Sequence, residues 1–79
     1  MMNEEKIKIG ARIILTEIPV EICFYIHPES WLFEDQETRC EIIWKELRKS
    51  HPLTSKIAML NTKIYKYSTW IENVQILSQ

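Results

Sequence analysis

From Lys6 to Leu15 the chain alternates, with Ile7, Ile9, Ala11, Ile13 and Leu15 to one side and Lys6, Lys8, Gly10 and Arg12 to the other. A period of two is the mark of a strand with one buried face. Val20 to His27 repeats the pattern, with Val20, Ile22, Phe24 and Ile26 opposite Glu21, Cys23, Tyr25 and His27. Pro19 separates the two runs, because it has no N–H to give to a ladder. Consecutive strands with so short a break most simply form an antiparallel pair.

The period then changes. Pro28, Glu29 and Ser30 end the second strand, and Phe33, Cys40, Ile43, Trp44 and Leu47 recur at spacings of three and four. That is a one-sided helix. Either Ser30 or Asp35 serves as its N-cap, and Glu34, Asp35 and Glu37 lie near the positive end of its dipole. Lys45, Arg48 and Lys49 lie near the negative end, and Pro52 prevents continuation. The expected packing sets Phe33, Cys40, Ile43, Trp44 and Leu47 on Val20, Ile22, Phe24 and Ile26.

The last third carries two conflicting signals. Leu53, Ile57, Leu60, Ile64, Tyr67, Ile71 and Val74 follow the alternating four-three spacing of a helical seam. The same segment is dense in β-branched and aromatic residues, and Asn61-Thr62 and Glu72-Asn73 suit turns. The β reading is adopted, with strands at Lys56–Leu60, Lys63–Ile71 and Val74–Leu77. The fold class is therefore α+β: a small antiparallel sheet of four to five strands with one amphipathic helix on one face, in ββα-β-β order. The alternative is ββαα, with a second helix from about Thr54 to Ile71.

At 79 residues the chain is a single domain spanning 1–79, and a chain this short buries only about 60–65% of its unfolded surface. Large side chains, including Trp31, Trp44 and Trp70, help so small a core, and pairing into a homodimer is the other common remedy. Gly10 is the sole glycine, and isoleucine, lysine and glutamate abound. That bias suits an AT-rich coding sequence such as that of a phage or mobile element. Met1–Lys6 lacks the basic and apolar regions of a signal peptide. No apolar run approaches the roughly 20 residues of a membrane span. Cys23 and Cys40, with no secretory signal, suggest reduced thiols and a cytoplasmic location.

The candidate chemistry is sparse. His27, Glu29 and His51 match no metal-ligand spacing, neither CxxC nor HExxH occurs, and no metal or cofactor is expected. Cys40 and His51 have the residue types of a nucleophile and its base, but Cys40 falls on the apolar stripe, where a thiol behaves as a small hydrophobe. One glycine cannot build a phosphate loop. No enzymatic activity is expected; a small ribonuclease is the form it would take.

Charge is the strongest signal. Between Arg12 and Arg39 there is no Lys or Arg, but Glu17, Glu21, Glu29, Glu34, Asp35 and Glu37 are present. Between Glu46 and Glu72 the sign reverses, with Arg48, Lys49, Lys56, Lys63 and Lys66 and no acid. The helix dipole accounts for charges at the helix ends, but not for Glu17, Glu21, Lys56, Lys63 or Lys66, which are assigned to the sheet or its loops. The net charge of −1 conceals a dipolar surface, which orients an approaching partner.

Two binding surfaces follow. Glu29, Glu34, Asp35 and Glu37 form an acidic rim beside Trp31, Leu32 and Phe33. Three bulky apolar residues in a row cannot all face inward from one helical turn, so Trp31 or Leu32 is expected at the surface. An exposed apolar group inside a charged rim has the anatomy of a protein-binding hot spot. The reading adopted is a small non-catalytic module, an adaptor or inhibitor, that docks on a larger protein through Glu29, Trp31, Leu32, Glu34, Asp35 and Glu37. The alternative uses Arg48, Lys49, Lys56, Lys63, Tyr65, Lys66 and Tyr67 to hold phosphates and stack unpaired bases of a nucleic acid.

Overall fold

The structure is a computed structural model that describes residues 5–61 and 70–78. Its elements run β1 (Ile7–Ile13), β2 (Val20–Ile26), α1 (Glu29–Leu32), α2 (Gln36–Ser50), α3 (Pro52–Asn61) and β3 (Ile71–Ser78). The molecule is α+β, with α2 packed on one face of an antiparallel sheet ordered β2-β1-β3.

The first two strands form as their alternation dictates. β1 and β2 pair without a break in register, from Ile7 opposite Ile26 to Ile13 opposite Val20. Ile7, Ile9, Ala11 and Ile13 of β1 are buried, as are Ile22 and Phe24 of β2. Across from them lies the apolar stripe of α2: Cys40, Ile43, Trp44 and Leu47, all buried. Ile9, Ile13, Ile43 and Leu47 are the most completely enclosed side chains of this core.

Three members of the expected stripe contact behave differently. Val20 and Ile26, near the ends of an edge strand, are half-buried. Phe33 is 84% exposed, which corrects its assignment to the buried stripe. The reason is local. Phe33 precedes α2 instead of riding on it: α1 ends at Leu32, and Asp35 then caps a separate helix through a hydrogen bond from the Thr38 N–H, 2.8 Å long. The periodicity of three and four therefore starts at Cys40.

The strands expected in the last third are corrected as well. Three strands occur among the described residues, not four to five, and Lys56–Leu60 is helical within α3. The seam spacing prevailed over β-propensity because Pro52 is well suited to a first helical position. The His51 carbonyl accepts the Ser55 N–H at 3.0 Å, closing the first turn, and Ser55 is buried. Lys56 consequently lies on a helix and not on the sheet or a loop. Most of the Lys63–Ile71 strand lies outside the described residues; Ile71 itself opens β3. The strand expected at Val74–Leu77 is present but longer, since Glu72-Asn73 makes no turn.

Instead β3 carries two irregularities. Arg12 faces Glu72 and Gly10 faces Gln75, which leaves one extra residue on β3, and a second extra residue falls between the partners of Ile9 and Lys8. Asn73 absorbs the first bulge in a left-handed conformation, φ 54°, which asparagine tolerates better than most residues. The face of the sheet opposite α2 carries the polar alternates. There the Arg12 guanidinium bridges β2 and β3, at 3.3 Å from Glu21 and 3.6 Å from Glu72. Leu77 lies so close over Gly10 that a Cβ there would meet its Cδ1 at 2.8 Å, so the sole glycine makes room for it.

Trp44→Ala is expected to cost about 3–5 kcal/mol, the usual range for deleting a buried large aromatic, and to abolish the cooperative unfolding transition in thermal or urea melts. Cys23 and Cys40 are free, one exposed and the other buried. Strand alternation puts Cys23 on the sheet face away from α2. Added reductant should therefore leave the melting temperature unchanged.

Candidate protein-docking surface at the α1–α2 corner

The corner between β2 and α2 is built from its backbone outward. α1 is a single turn closed by the Pro28 carbonyl, which accepts the Leu32 N–H at 2.8 Å. Trp31 is only 2% exposed and meets Phe24 edge to face, with ring centroids 6.0 Å apart. Such a pair contributes about 0.5–1.5 kcal/mol beyond its area. Trp31 is therefore a core residue, which corrects its placement on a docking surface: its ring is the anchor that pins α1 to β2.

Arg39 holds the other side of this turn. Its Nε donates to the Trp31 carbonyl at 2.9 Å and its Nη2 to the Leu32 carbonyl at 3.2 Å. Its guanidinium carbon lies 5.1 Å from the centre of the Trp31 ring. One side chain thus joins the Glu34 N–H, 3.2 Å away, on the Trp31 carbonyl, caps the Leu32 carbonyl and covers the indole. Sequence reasoning missed this role. The available signal was that Arg39 is the first cation after Arg12, set inside the acid-rich stretch.

With Trp31 turned in, its two successors are turned out. Leu32 is 49% and Phe33 84% exposed. Glu29, Glu34, Asp35 and Glu37 are all exposed around them. Among the described residues none of these four acids makes an ion pair. Asp35 has a structural duty besides: the hydrogen bond from the Thr38 backbone, then that from the Thr38 side chain, holds its carboxyl below the ordinary carboxylate range.

The basic residues collect at the far end of α2. Arg48, Lys49 and Lys56 are exposed, and the helix between the two groups is 15 residues, about 22 Å long at 1.5 Å per residue. Lys49 pairs with Glu46 at 3.5 Å. Lys63, Tyr65, Lys66 and Tyr67 lie outside the described residues.

The catalytic pair is taken apart by the same helix. Cys40 and His51 are 11 positions apart, roughly 16 Å along the axis. Burial pushes the Cys40 thiol up, away from the thiolate, while the His51 Nδ1 meets the Ser50 hydroxyl at 2.9 Å. Among the described residues no three His, Cys, Asp or Glu side chains converge as metal ligands. No described helix is long and apolar enough to cross a membrane. A hollow of about 320 Å³ between α2 and β3, lined by Gln36, Arg39, Cys40, Ile43, Ile71 and Val74, brings no acid–base pair together. No family model matches this chain, and neither the curated proteins nor the solved structures compared with it give a match.

Asp35→Ala should lower the melting temperature by removing the α2 cap, and Asp35→Asn should retain most of it. The sign of the pH effect follows from the lowered pKa. The contribution is complete above the ordinary aspartate value and is lost as pH falls through the lower folded value. An acid titration of stability should therefore show a step in the wild type that is missing in Asp35→Asn.

Proposed function

We propose that this chain is a non-catalytic protein-binding module, an adaptor or inhibitor that works in the cytoplasm by docking on a larger protein. The observation that carries this reading is the exposure of Leu32 and Phe33 within the acidic rim of Glu29, Glu34, Asp35 and Glu37. Phe33 leaves most of its ring in water although a core lies one turn away, and two adjacent exposed apolar side chains bordered by acids suit the centre and rim of an interface. The composition, rich in isoleucine, lysine and glutamate with one glycine, suits a phage or mobile-element origin.

A second reading has one observation in its favour. Arg48 and Lys56 are exposed and make no ion pair among the described residues, so a nucleic-acid backbone would find uncompensated cations there. Salt separates the two: counterion release makes nucleic-acid binding fall steeply with ionic strength, whereas a hot-spot interface responds mainly in its on-rate.

Affinity purification of the tagged chain from its native host, with and without nuclease, tests the proposal. A protein partner should survive nuclease, and Leu32→Ser with Phe33→Ser should weaken its capture about thirtyfold, as expected for hot-spot residues worth about 2 kcal/mol or more. Glu34→Gln with Glu37→Gln should slow association while leaving the melting temperature in place. Loss of all captured material on nuclease treatment, restored binding at low salt, and sensitivity to Arg48→Gln with Lys56→Gln would transfer the function to the basic end.

A further inference from the structure

The sheet has two edges, and they are finished differently. β3 is bulged twice, and bulges twist an edge away from edge-to-edge pairing. β2 has none of the usual protections. Its seven residues pair with β1 in unbroken register, and it contains no proline, lysine or arginine. Among the described residues, no backbone or side-chain hydrogen bond is made to the edge of β2 that faces away from β1. Toward the described residues that edge presents a row of open N–H and C=O groups, the template for an added strand.

The charge around it selects what can be added. β2 sits in the middle of the stretch from Ile13 to Thr38, which holds six acids and no Lys or Arg. Arg12 offers one cation to both Glu21 and Glu72, and Glu17 and Glu29, beyond the two ends of β2, are exposed and make no ion pair among the described residues. In an antiparallel second copy of β2 centred on Cys23, Glu17 would lie opposite Glu29, acid against acid. A basic strand would meet them with opposite charge.

The two faces of β2 define the side chains of that strand. On the open face the Tyr25 ring carries Lys8 of β1, whose Nζ lies 5.9 Å from its centroid, and Glu21 shares Arg12 with Glu72, so a partner's cation would meet a carboxylate that has only half of one. On the helix face Val20 and Ile26 are half-buried at the strand ends, and apolar side chains beside them would complete their cover. We infer that β2 is an acceptor edge for β-augmentation by an extended segment of a partner protein in which lysine or arginine alternates with apolar residues. This rests on the protein-binding reading and adds to it the mode of docking and the chemistry of the partner.

The probe is a synthetic peptide as long as β2, alternating lysine and valine, mixed with the full chain and followed by fluorescence polarisation and amide hydrogen exchange. The expected result is slowed exchange at every second amide of β2, with affinity falling about tenfold when outward-facing peptide nitrogens are methylated and their hydrogen bonds lost. A glutamate–valine peptide should not bind, and Glu17→Gln with Glu29→Gln should weaken the lysine peptide while leaving the melting temperature unchanged. Absence of binding, protection outside β2, indifference to N-methylation, or equal binding of the acidic peptide would overturn the inference. So would concentration-dependent protection of β2 without peptide, which would identify a second copy as the occupant. A host protein captured through Leu32 and Phe33 while β2 remains unprotected would refute the edge and leave the docking surface standing; loss of both would refute both.

Discussion

The contact between the apolar stripe of α2 and the inner face of β1 supports everything else in this molecule. β1 is the central strand, and its Ile9 and Ile13, with Ile43 and Leu47 of α2, are the most enclosed side chains of the core. A chain of this length has no second core to fall back on. Trp44 supplies much of the volume, and a second indole, Trp31, joins the same core through Phe24. The two tryptophans do different work. One fastens a helix to a sheet; the other fastens a single turn of chain so firmly that its neighbours are forced into water.

That second anchoring explains why the acidic corner looks as it does. Leu32 and Phe33 are exposed because Trp31 is buried and Arg39 clamps the carbonyls of the same turn. An isolated four-residue helix would not hold its shape in water. Here its geometry is borrowed from Phe24 below and Arg39 beside it. The acids around the corner are of two kinds. Asp35 is committed to capping α2, whereas the carboxylates of Glu29, Glu34 and Glu37 make no ion pair among the described residues and remain available to a partner.

Charge sorting along the sequence becomes charge separation in space because a straight helix lies between the two blocks. No described ion pair joins the acidic corner to Arg48, Lys49 or Lys56. Pairs of exposed charges contribute only about 0–1 kcal/mol each, so the separation costs the fold little. The three described pairs lie elsewhere: two radiate from Arg12 across the sheet and one spans a turn of α2. The acidic corner, the acid-flanked edge of β2 and the basic end of α2 therefore present distinct surfaces on one small body.

The elements whose pattern is purely local were readable from the chain. Alternation fixed β1, β2 and which of their faces is buried, and the run of Cys40, Ile43, Trp44 and Leu47 fixed the inner face of α2, because burial on one side leaves a period that nothing else imitates. Glu34 to Glu37 and Arg48 with Lys49 marked the helix ends for a similarly local reason, the dipole. Tertiary structure decided the rest. Whether Lys56–Leu60 became helix or strand turned on Pro52 and the packing of α3 against α2, where two local preferences were nearly balanced. Which of Trp31, Leu32 and Phe33 faced inward depended on Phe24 and Arg39, residues distant along the chain or silent in any pattern. The bulges of β3 arose from pairing with β1, and no sequence period encodes a register. Periodicity could state that a face must be buried; only the assembled sheet and helices determined what would bury it and which edge and side chains were left over for a partner.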